Sequence, residues 1–369
     1  MEKTISEKLM RAHVLTTYPV ADASRRLRIE PLVSEMRRRG IEVRVHQLLS
    51  DSAFGRKNGS PLDRAYVLVV LLVGILARLL LLARRCDILI VHREAFPFFT
   101  PLFEQMGAKN SRISILDVDD AIYAAPTHTR DWRQFLRNPT KASEFSTIFD
   151  VIFCGNEMLK EKFGRDSAIS FVSPTCPPPE TFDIVRQKND KIIIMWTGSQ
   201  STLGSIKGIL PDVLQLCEED DLELHILGGA NINELEPHPR LFAARWTSDA
   251  ERDLLARASI GLMPLPDTQW ERGKSGYKAI LYLCAGLRAV VSPVGINRRL
   301  SEEFPAISAV EDDHWSAEIR HAVEEVRRGG PEGYSRDMAR TQFGSSSNAT
   351  RAVDIMLEGV TGEKNPLRG

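Results

Sequence analysis

The chain has few cysteines and no excess of charge of either sign. Its five cysteines are scattered over 369 residues without a C-x-x-C pair. This argues against a disulfide framework and structural zinc, and it favours a reducing compartment. Lysine and arginine number 48 against 49 acidic residues, so the formal net charge of −1 gives no global reason to expect nucleic acid as a partner. The length predicts two globular domains of ordinary size.

The first ten residues lack the pattern of a secretory signal, because they are polar and charged. One long apolar stretch runs from Ala65 to Ala83, interrupted only by Gly74 and Arg78. Its length would suffice to span a bilayer, but a strand-like run, 87–91, follows almost at once. We therefore expect a helix of the domain, either packed in the core or lying on a membrane surface, and a spanning helix is the remaining alternative. The expected location is the cytoplasm, with any lipid contact on the inner face of the membrane.

Short apolar runs alternate with helical patterns along most of the chain, which predicts parallel sheets covered on both faces. Residues 174–179 interrupt this alternation with four prolines, which is typical of a linker. The predicted fold class is α/β, with two doubly wound, Rossmann-like domains facing a cleft. They comprise residues 1–175 and 176–345, and a C-terminal helix and tail, 346–369, is expected to pack back on the first domain. Within these domains the pattern predicts helices near 131–147 and over 201–217.

The second half contains an order of elements that favours anion binding. An apolar strand, 258–263, runs into a charged loop, a helix is expected to begin near Ser275, and a second strand, 289–292, ends just before Gly295. Backbone N–H groups at a helix N-terminus and nearby cations stabilise phosphate. Glycine and serine after the strand that ends at Trp196 would let a phosphate approach closely. The candidate residues for this site are Gly198, Ser199, Arg272, Lys274, Ser275, Lys278 and Gly295.

Several strings in these regions are similar to one enzyme family. In the second half they are Trp-Thr-Gly-Ser at 196–199, Arg-Gly-Lys-Ser-Gly-Tyr-Lys at 272–278 and Val-Ser-Pro-Val-Gly-Ile-Asn at 291–297. In the first half they are Arg-Leu-Arg-Ile at 26–29, His-Arg-Glu-Ala-Phe-Pro at 92–97, Asp-Val-Asp-Asp-Ala-Ile at 117–122 and Cys-Gly-Asn-Glu at 154–157. Together and in this order they resemble family-4-type glycosyltransferases of the GT-B fold.

The resemblance implies a glycosyltransferase that takes its sugar from a nucleotide-sugar donor bound mostly by the C-terminal domain. The candidate anion-binding residues of that domain would then be donor-binding residues. The acceptor would dock on the N-terminal domain and would be a glycan, a lipid-linked molecule or a small molecule. The resemblance further implies retention of anomeric configuration, without a cofactor or a required metal. Because the leaving group is a nucleoside diphosphate, catalysis needs positive charge on its phosphates.

Four residues are candidates for direct catalysis: His92, Asp119, Asp120 and Glu271. In the resembled family a histidine placed like His92 often faces the transferred sugar, although a histidine simply hydrogen-bonded in a loop fits the sequence equally well. Asp119 and Asp120 suit a general base or a metal site, but Asp120 could cap a helix, and Asp119 could pair with Arg93 or Arg28. The candidate acceptor-binding residues are Arg26, Arg28, Arg93 and Glu94.

The sequence departs from the resembled family at a pair of glutamates, of which the second binds the donor ribose. The equivalent positions here are Gly273 and Leu281, and Glu271 lies two residues too early. Leucine accepts no hydrogen bond, so the lost contact would cost on the order of 1.5–3 kcal/mol of binding free energy. The alternative to an active transferase is therefore a catalytically silent GT-B-fold protein that binds a partner.

Overall fold

The structure is a computed structural model that describes most of the chain. The described residues are 10–57, 59–96, 100–124, 138–164, 169–311, 314–330 and 332–361. They divide into two compact units, with one boundary between Thr175 and Cys176 and another between Ser345 and Ser346. Unit 1 contains the described residues before the first boundary and after the second, and unit 2 contains the residues between them. Each unit holds one six-stranded parallel sheet with flanking helices, which confirms the predicted fold class.

Unit 1 has the strand order β2-β1-β3-β4-β5-β6. The strands are β1 (Arg11–Thr16), β2 (Glu42–Gln47), β3 (Cys86–His92), β4 (Ser111–Val118), β5 (Val151–Cys154) and β6 (Ile169–Val172). The helices are α1 (Glu30–Arg38, preceded by a π-helical turn, Arg25–Ile29), α2 (Asp51–Arg56), α3 (Pro61–Leu82), α4 (Leu102–Lys109), α5 (Phe145–Ile148) and α6 (Glu157–Phe163).

The central strands of unit 1 are buried on both faces, which explains their uninterrupted apolar sequences. On β3, Ile88 and Ile90 point into one hydrophobic cluster, and Leu89 and Val91 point into the other. The first cluster also receives the last helix, Ser345–Thr361, through side chains such as Val353. That helix therefore packs within unit 1, although the residues just before it in sequence belong to unit 2.

Unit 2 has the strand order β12-β11-β10-β7-β8-β9. The strands are β7 (Ile193–Thr197), β8 (Glu223–Gly228), β9 (Leu241–Arg245), β10 (Ile260–Met263), β11 (Arg288–Val291) and β12 (Ile307–Ala309). The helices are α7 (Leu203–Lys207), α8 (Leu210–Glu219), α9 (Ser248–Arg257), α10 (Gln269–Arg272), α11 (Tyr277–Ala285), α12 (Ile296–Glu303), α13 (Trp315–Arg328) and α14 (Glu332–Phe343), and the chain's last helix, α15 (Ser345–Thr361), follows them. This is the strand order of Rossmann folds, and the point at which the strand order reverses lies between β7 and β10.

Two predicted helices differ from the structure. The helix expected over 201–217 is divided into α7 and α8, and Pro211, which has no backbone N–H, lies in the first turn of α8. Of the helix expected near 131–147, residues 131–137 lie outside the described residues. The remainder is a 3₁₀ helix, Pro139–Glu144, followed by the single turn of α5. Strands β9 and β12 were not predicted, because five and three residues carry too little periodic signal.

Candidate functional sites

The candidate donor-binding residues of unit 2 gather at the carboxyl edge of its sheet, where the strand order reverses. Gly198 follows β7, and the charged loop with Glu271 and Lys274 follows β10, the neighbouring strand. In open parallel sheets, ligands bind in the crevice at this point. The helix dipole of α11 adds positive potential there, since its N-terminus follows the loop directly.

The Trp196 side chain, near the end of β7, contacts a residue in the first turn of α11. This side chain is fully buried, and a Cβ at position 198 would collide with its ring, so only glycine fits there. The Nζ of Lys278 lies 4.4 Å from the centroid of the Trp196 ring, in a cation–π contact. Gly198 and Lys278 are 80 positions apart in the chain, and both lie next to the ring of the same tryptophan.

Lys278 carries an ammonium group next to Trp196. It is partly buried, and in the part of the chain that the structure describes it makes neither a hydrogen bond nor an ion pair. Desolvation, followed by the positive charge of Lys274, lowers the pKa of Lys278 to about 7. A bound anion would stabilise the charged form, so this lysine is suited to a phosphate.

Lys274 and Glu271 form an ion pair, with Nζ 2.7 Å from Oε2. The Glu271 side chain is fully buried, and its backbone N–H donates to the hydroxyl of Thr268 at the start of α10. The structure thus places Glu271 beneath Lys274, where it orients the ammonium group. The prediction that Glu271 acts in catalysis stays a prediction.

Arg272 is half exposed and pairs with Asp267, at 2.5 Å and 2.8 Å between the guanidinium nitrogens and the carboxylate oxygens. The hydrogen bond from Arg272 lowers the pKa of Asp267. Gly295 has a φ of +59°, and a Cβ there would collide with the backbone carbonyl of Arg272. The loops after β10 and β11 are therefore in contact, which brings Arg272 and Gly295 together.

The two serines of the candidate set lie in different surroundings. Ser199 is exposed just after Gly198, whereas Ser275 is buried just before α11. Sequence reasoning missed Glu251, which accepts hydrogen bonds from the Thr197 hydroxyl at 2.7 Å and from the Trp246 indole at 2.9 Å. Glu251 lies in the first turn of α9, where a glutamate is common, so only its tertiary contacts identify it.

The candidate residues of unit 1 gather where β1 and β3 are neighbours, the point of reversal in that sheet. His92, at the end of β3, is paired in register with Asp117 on β4, and its Nδ1 lies 2.7 Å from the Asp117 carboxylate. Arg28 binds the same carboxylate at 2.5 Å and 3.1 Å. All three side chains are buried. Although burial opposes it, the charge of Arg28 holds the pKa of Asp117 below its usual range.

Arg93 forms a second cluster with two aspartates. Its guanidinium lies 2.6 Å from Asp119 and 2.6 Å from Asp120. Arg93 has a φ of +65°, which is strained for a residue with a side chain. Although burial opposes it, the charge of Arg93 lowers the pKa of Asp119. Asp119 therefore pairs with Arg93, whereas Arg28 pairs with Asp117.

Glu94 and Arg26 complete the set of candidate acceptor-binding residues. Glu94 is buried with its carboxylate 3.4 Å from the ammonium of Lys141. That ammonium is fully buried and also contacts Glu104 at 3.1 Å. Arg26 is half-buried in the π-helical turn. Glu94 therefore belongs to a buried ionic cluster, whereas Arg26 keeps part of its side chain exposed.

Ser24 is a member of this site that the sequence did not indicate. Its hydroxyl lies 3.0 Å from His92 Nε2 and donates a short hydrogen bond to Asp119. Because Arg93 keeps Asp119 ionised, that carboxylate must accept the hydrogen bond. Ser24 therefore connects His92, which also contacts Asp117, to the Arg93–Asp119 pair.

The contact between Ser24 and His92 can be measured. In protein labelled with ¹⁵N-histidine, a Ser24→Ala variant, which removes the hydroxyl next to Nε2, should change the Nε2 signal of His92 while the Nδ1 signal stays. An Nε2 signal that the substitution leaves unchanged would contradict the contact.

Within the described residues, no group of three or more His, Cys, Asp or Glu side chains could hold a metal ion. The prediction that no metal is required stays a prediction.

No protein-family model and no curated protein matches the sequence. Solved structures do match along nearly the whole chain. Sucrose-phosphate synthase from Thermosynechococcus elongatus has a TM-score of 0.67 at 11% identity, covering 95% of this chain and 98% of that one. Anabaena HepE in complex with UDP and glucose has a TM-score of 0.63 at 10% identity, covering 95% and 99%. A glycosyltransferase from Rickettsia africae has a TM-score of 0.63 at 9% identity, covering 96% and 99%. At such identities the likeness shows the fold, which is that of GT-B glycosyltransferases.

Proposed function

We propose that this protein is a glycosyltransferase that moves a sugar from a nucleotide-sugar donor to an acceptor. The observation that carries the proposal is Lys278, a partly buried ammonium at the reversal point of the unit 2 sheet that forms no ion pair with any described residue. An enzyme that must stabilise a departing diphosphate needs such a charge. The fold shared with HepE, whose structure contains UDP and glucose, supports the same function.

In this proposal unit 2 binds the donor. Lys278 and Lys274 would contact the diphosphate, and Gly198 would let it approach the end of β7. Arg272 would join them by exchanging Asp267 for a phosphate, since exposed ion pairs are weak. Glu251 and the buried Glu271 would orient the neighbouring polar groups. Transfer would proceed with retention and without a required metal.

Unit 1 would bind the acceptor, which we propose is a glycan, a lipid-linked molecule or a small molecule. His92 would donate a hydrogen bond from Nε2 to a sugar hydroxyl when Ser24 rotates away. Arg93 and the exposed part of Arg26 would contact anionic or polar groups of the acceptor. In the structure the Asp119 and Asp120 carboxylates pair with Arg93, so their proposed role is to hold that guanidinium.

The first test is calorimetric titration of the purified protein with UDP, ADP and GDP. We expect one of them to bind and to raise the melting temperature, and the matching sugar nucleotides should then be tested for turnover. If none of the three diphosphates binds, the donor-site assignment is wrong.

Removal of Lys274 tests the role of the ion pair beneath the site. Lys274→Met should abolish turnover, but it also leaves the buried Glu271 carboxylate without its cation, which destabilises the fold. The double variant Glu271→Gln/Lys274→Met should therefore recover thermal stability without recovering diphosphate binding. Recovery of binding in the double variant would show that Lys274 acts only on the fold.

A second candidate function is a catalytically silent GT-B-fold protein that binds a partner. Leu281, at the position where the resembled enzymes bind ribose, is 1% exposed and packs in the core of unit 2. A leucine side chain has no polar atom, so it cannot form a hydrogen bond with a nucleotide. Diphosphate binding without turnover of any sugar nucleotide would favour this second function.

We also propose a cytoplasmic location, with contact between residues 65–83 and the inner face of a membrane. None of the five cysteines, all of which lie in the described residues, forms a disulfide, and a reducing compartment favours that state.

A further inference from the structure

Helix α3 leaves one apolar face open. Its other face packs on unit 1 through Val67 and Leu82. Between positions 65 and 83 every exposed residue is apolar. These residues are Ala65, Tyr66, Leu68, Val69, Leu72, Val73, Leu76, Ala77, Leu80 and Ala83.

Their spacing of three and four places them on one stripe. At about 1.5 Å per residue the stripe is about 27 Å long. The large side chains along it, from Tyr66 to Leu80, are 39% to 67% exposed. Soluble monomers rarely expose a continuous apolar patch of this size. We therefore infer that this apolar face contacts a partner molecule or a membrane.

Arg78 fixes the helix to unit 1. Its guanidinium donates to the backbone carbonyls of Ala95, Thr16 and His46, at 2.5, 2.8 and 2.7 Å. Burial lowers the pKa of Arg78 to about 10. At Gly74 an added Cβ would lie 2.9 Å from the carbonyl oxygen of Leu48, so the helix backbone approaches the domain closely.

By length and composition α3 could cross a membrane, with a mean hydropathy of 2.7 over 18 residues. Crossing would break all three carbonyl contacts of Arg78 and would carry its charge into hydrocarbon. Docking through the open face breaks none of them. The contacts therefore favour a helix that stays on unit 1 while its outer face meets lipid.

The charges at the ends of the stripe indicate the chemistry of the partner. Arg64 lies at one end, and Arg84 and Arg85 lie at the other, all exposed. None of the three forms an ion pair with a described residue. In a dimer built on this face, parallel helices would place Arg64 near Arg64, and antiparallel helices would place Arg64 near Arg84. Both arrangements bring cations together, whereas anionic lipid headgroups neutralise them.

We propose that unit 1 docks on an anionic bilayer through this face, with α3 parallel to the membrane surface. The side chains of Leu72 and Leu76 enter the boundary between headgroups and acyl chains. The terminal arginines bind lipid phosphates. This docking does not depend on the proposed sugar transfer, and its test uses no nucleotide.

Flotation with vesicles of phosphatidylcholine, with and without about 30 mol% phosphatidylglycerol, tests the proposal on the full chain. We expect partitioning to be several-fold greater on the anionic vesicles and to fall with added salt. Leu72→Asn/Leu76→Asn should reduce partitioning tenfold or more. The matched control is Val185→Asn/Tyr334→Asn, two residues of unit 2 that are 81% and 67% exposed, and it should float like the unaltered protein.

Triple substitution of Arg64, Arg84 and Arg85 by glutamine should remove the preference for anionic vesicles and leave the binding to neutral ones. Circular dichroism verifies that each variant is folded. The absence of flotation on both vesicle types would overturn the proposal. Equal flotation of the Leu72→Asn/Leu76→Asn variant would also overturn it, and so would a lipid-free dimer that the same substitutions dissociate.

A depth measurement distinguishes docking from spanning. A fluorophore attached at Leu68→Cys or at Leu80→Cys, in a Cys86→Ser background, should be quenched by lipids labelled near the headgroup and to the same extent at both positions. If α3 spans the bilayer, a label at Val73→Cys, midway along the helix, will instead be quenched best by lipids labelled at the chain ends, and the proposed orientation is wrong.

Discussion

Replacement of Lys278 by methionine is expected to weaken nucleoside diphosphate binding and, at the same time, to stabilise the protein. Methionine keeps a contact with the Trp196 ring but removes the ammonium that would contact the phosphates. A charge-assisted hydrogen bond contributes about 1.5–3 kcal/mol, so affinity should fall about 10- to 100-fold. Calorimetric titration with the diphosphate that binds the unaltered protein measures this loss.

The gain in stability follows from the lowered pKa of Lys278. The folded protein releases the proton near pH 7, whereas the unfolded chain holds it until about pH 10.4. The unfolded state thus binds more protons between these values, and the stability of the unaltered protein rises with pH across this window. The methionine variant should be more stable by on the order of 1–3 kcal/mol below pH 7, because partial exposure reduces the full effect. Its advantage should vanish near pH 10.

The binding of diphosphate should show the linked effect. An anion next to Lys278 raises the pKa of the ammonium, so binding takes up a proton, and the affinity of the unaltered protein should fall as pH rises above 7. The matched control is Lys207→Met, since Lys207 is an exposed lysine paired with Glu234; it should change neither stability nor affinity. A diphosphate affinity that is unchanged in Lys278→Met would disprove the role of Lys278.

Replacement of Asp117 by asparagine is expected to cause a large loss of stability in unit 1. The substitution removes a buried negative charge and leaves the Arg28 guanidinium and the His92 imidazole without their shared acceptor charge. Breaking a buried ion pair by removing one partner costs about 3–5 kcal/mol. Hydrogen exchange of the β3 and β4 amides should report this loss for unit 1 separately from unit 2.

The same substitution should alter acid unfolding. Because the pKa of Asp117 is lower in the folded protein than in the unfolded chain, its stabilisation is complete above about pH 4 and is lost as pH falls through the folded value. The asparagine variant should lose this part of the acid sensitivity. Asp354→Asn is the matched control, because Asp354 forms an exposed ion pair with Arg39 in the same unit. A loss of stability as small as that of the control would show that the buried cluster does not hold the sheet.

Arg272 and Lys278 show which properties of the candidate site could be predicted from the sequence and which could not. Both were predicted to bind phosphate from their place at a strand end and a helix start. Arg272 pairs with Asp267, five positions earlier, whereas Lys278 contacts the Trp196 ring and pairs with no carboxylate in the described parts of the chain. Both residues lie in the segment between β10 and β11. Only their side-chain contacts, with Asp267 in one case and with Trp196 in the other, distinguish them.

Unit 1 shows the same limit at longer range. The sequence marked His92 and the aspartates after β4 as candidates, because polar residues at strand ends meet at one edge of a parallel sheet. It left the pairings open, since Arg28 and Asp117 are 89 positions apart. Ser24 carried no signal at all, because a serine before a helical turn is common.

By itself the sequence determined the alternation of buried strands and helices, the division near the prolines, and the strand ends at which polar residues collect. These features depend on local periodicity and on residues that restrict the backbone. Only the tertiary structure decided which cations have partners, which carboxylates are buried and which face of α3 is open. Those outcomes depend on distances between residues that are remote in the chain, and the periodicity of an apolar helix such as α3 does not state which side of it the protein covers.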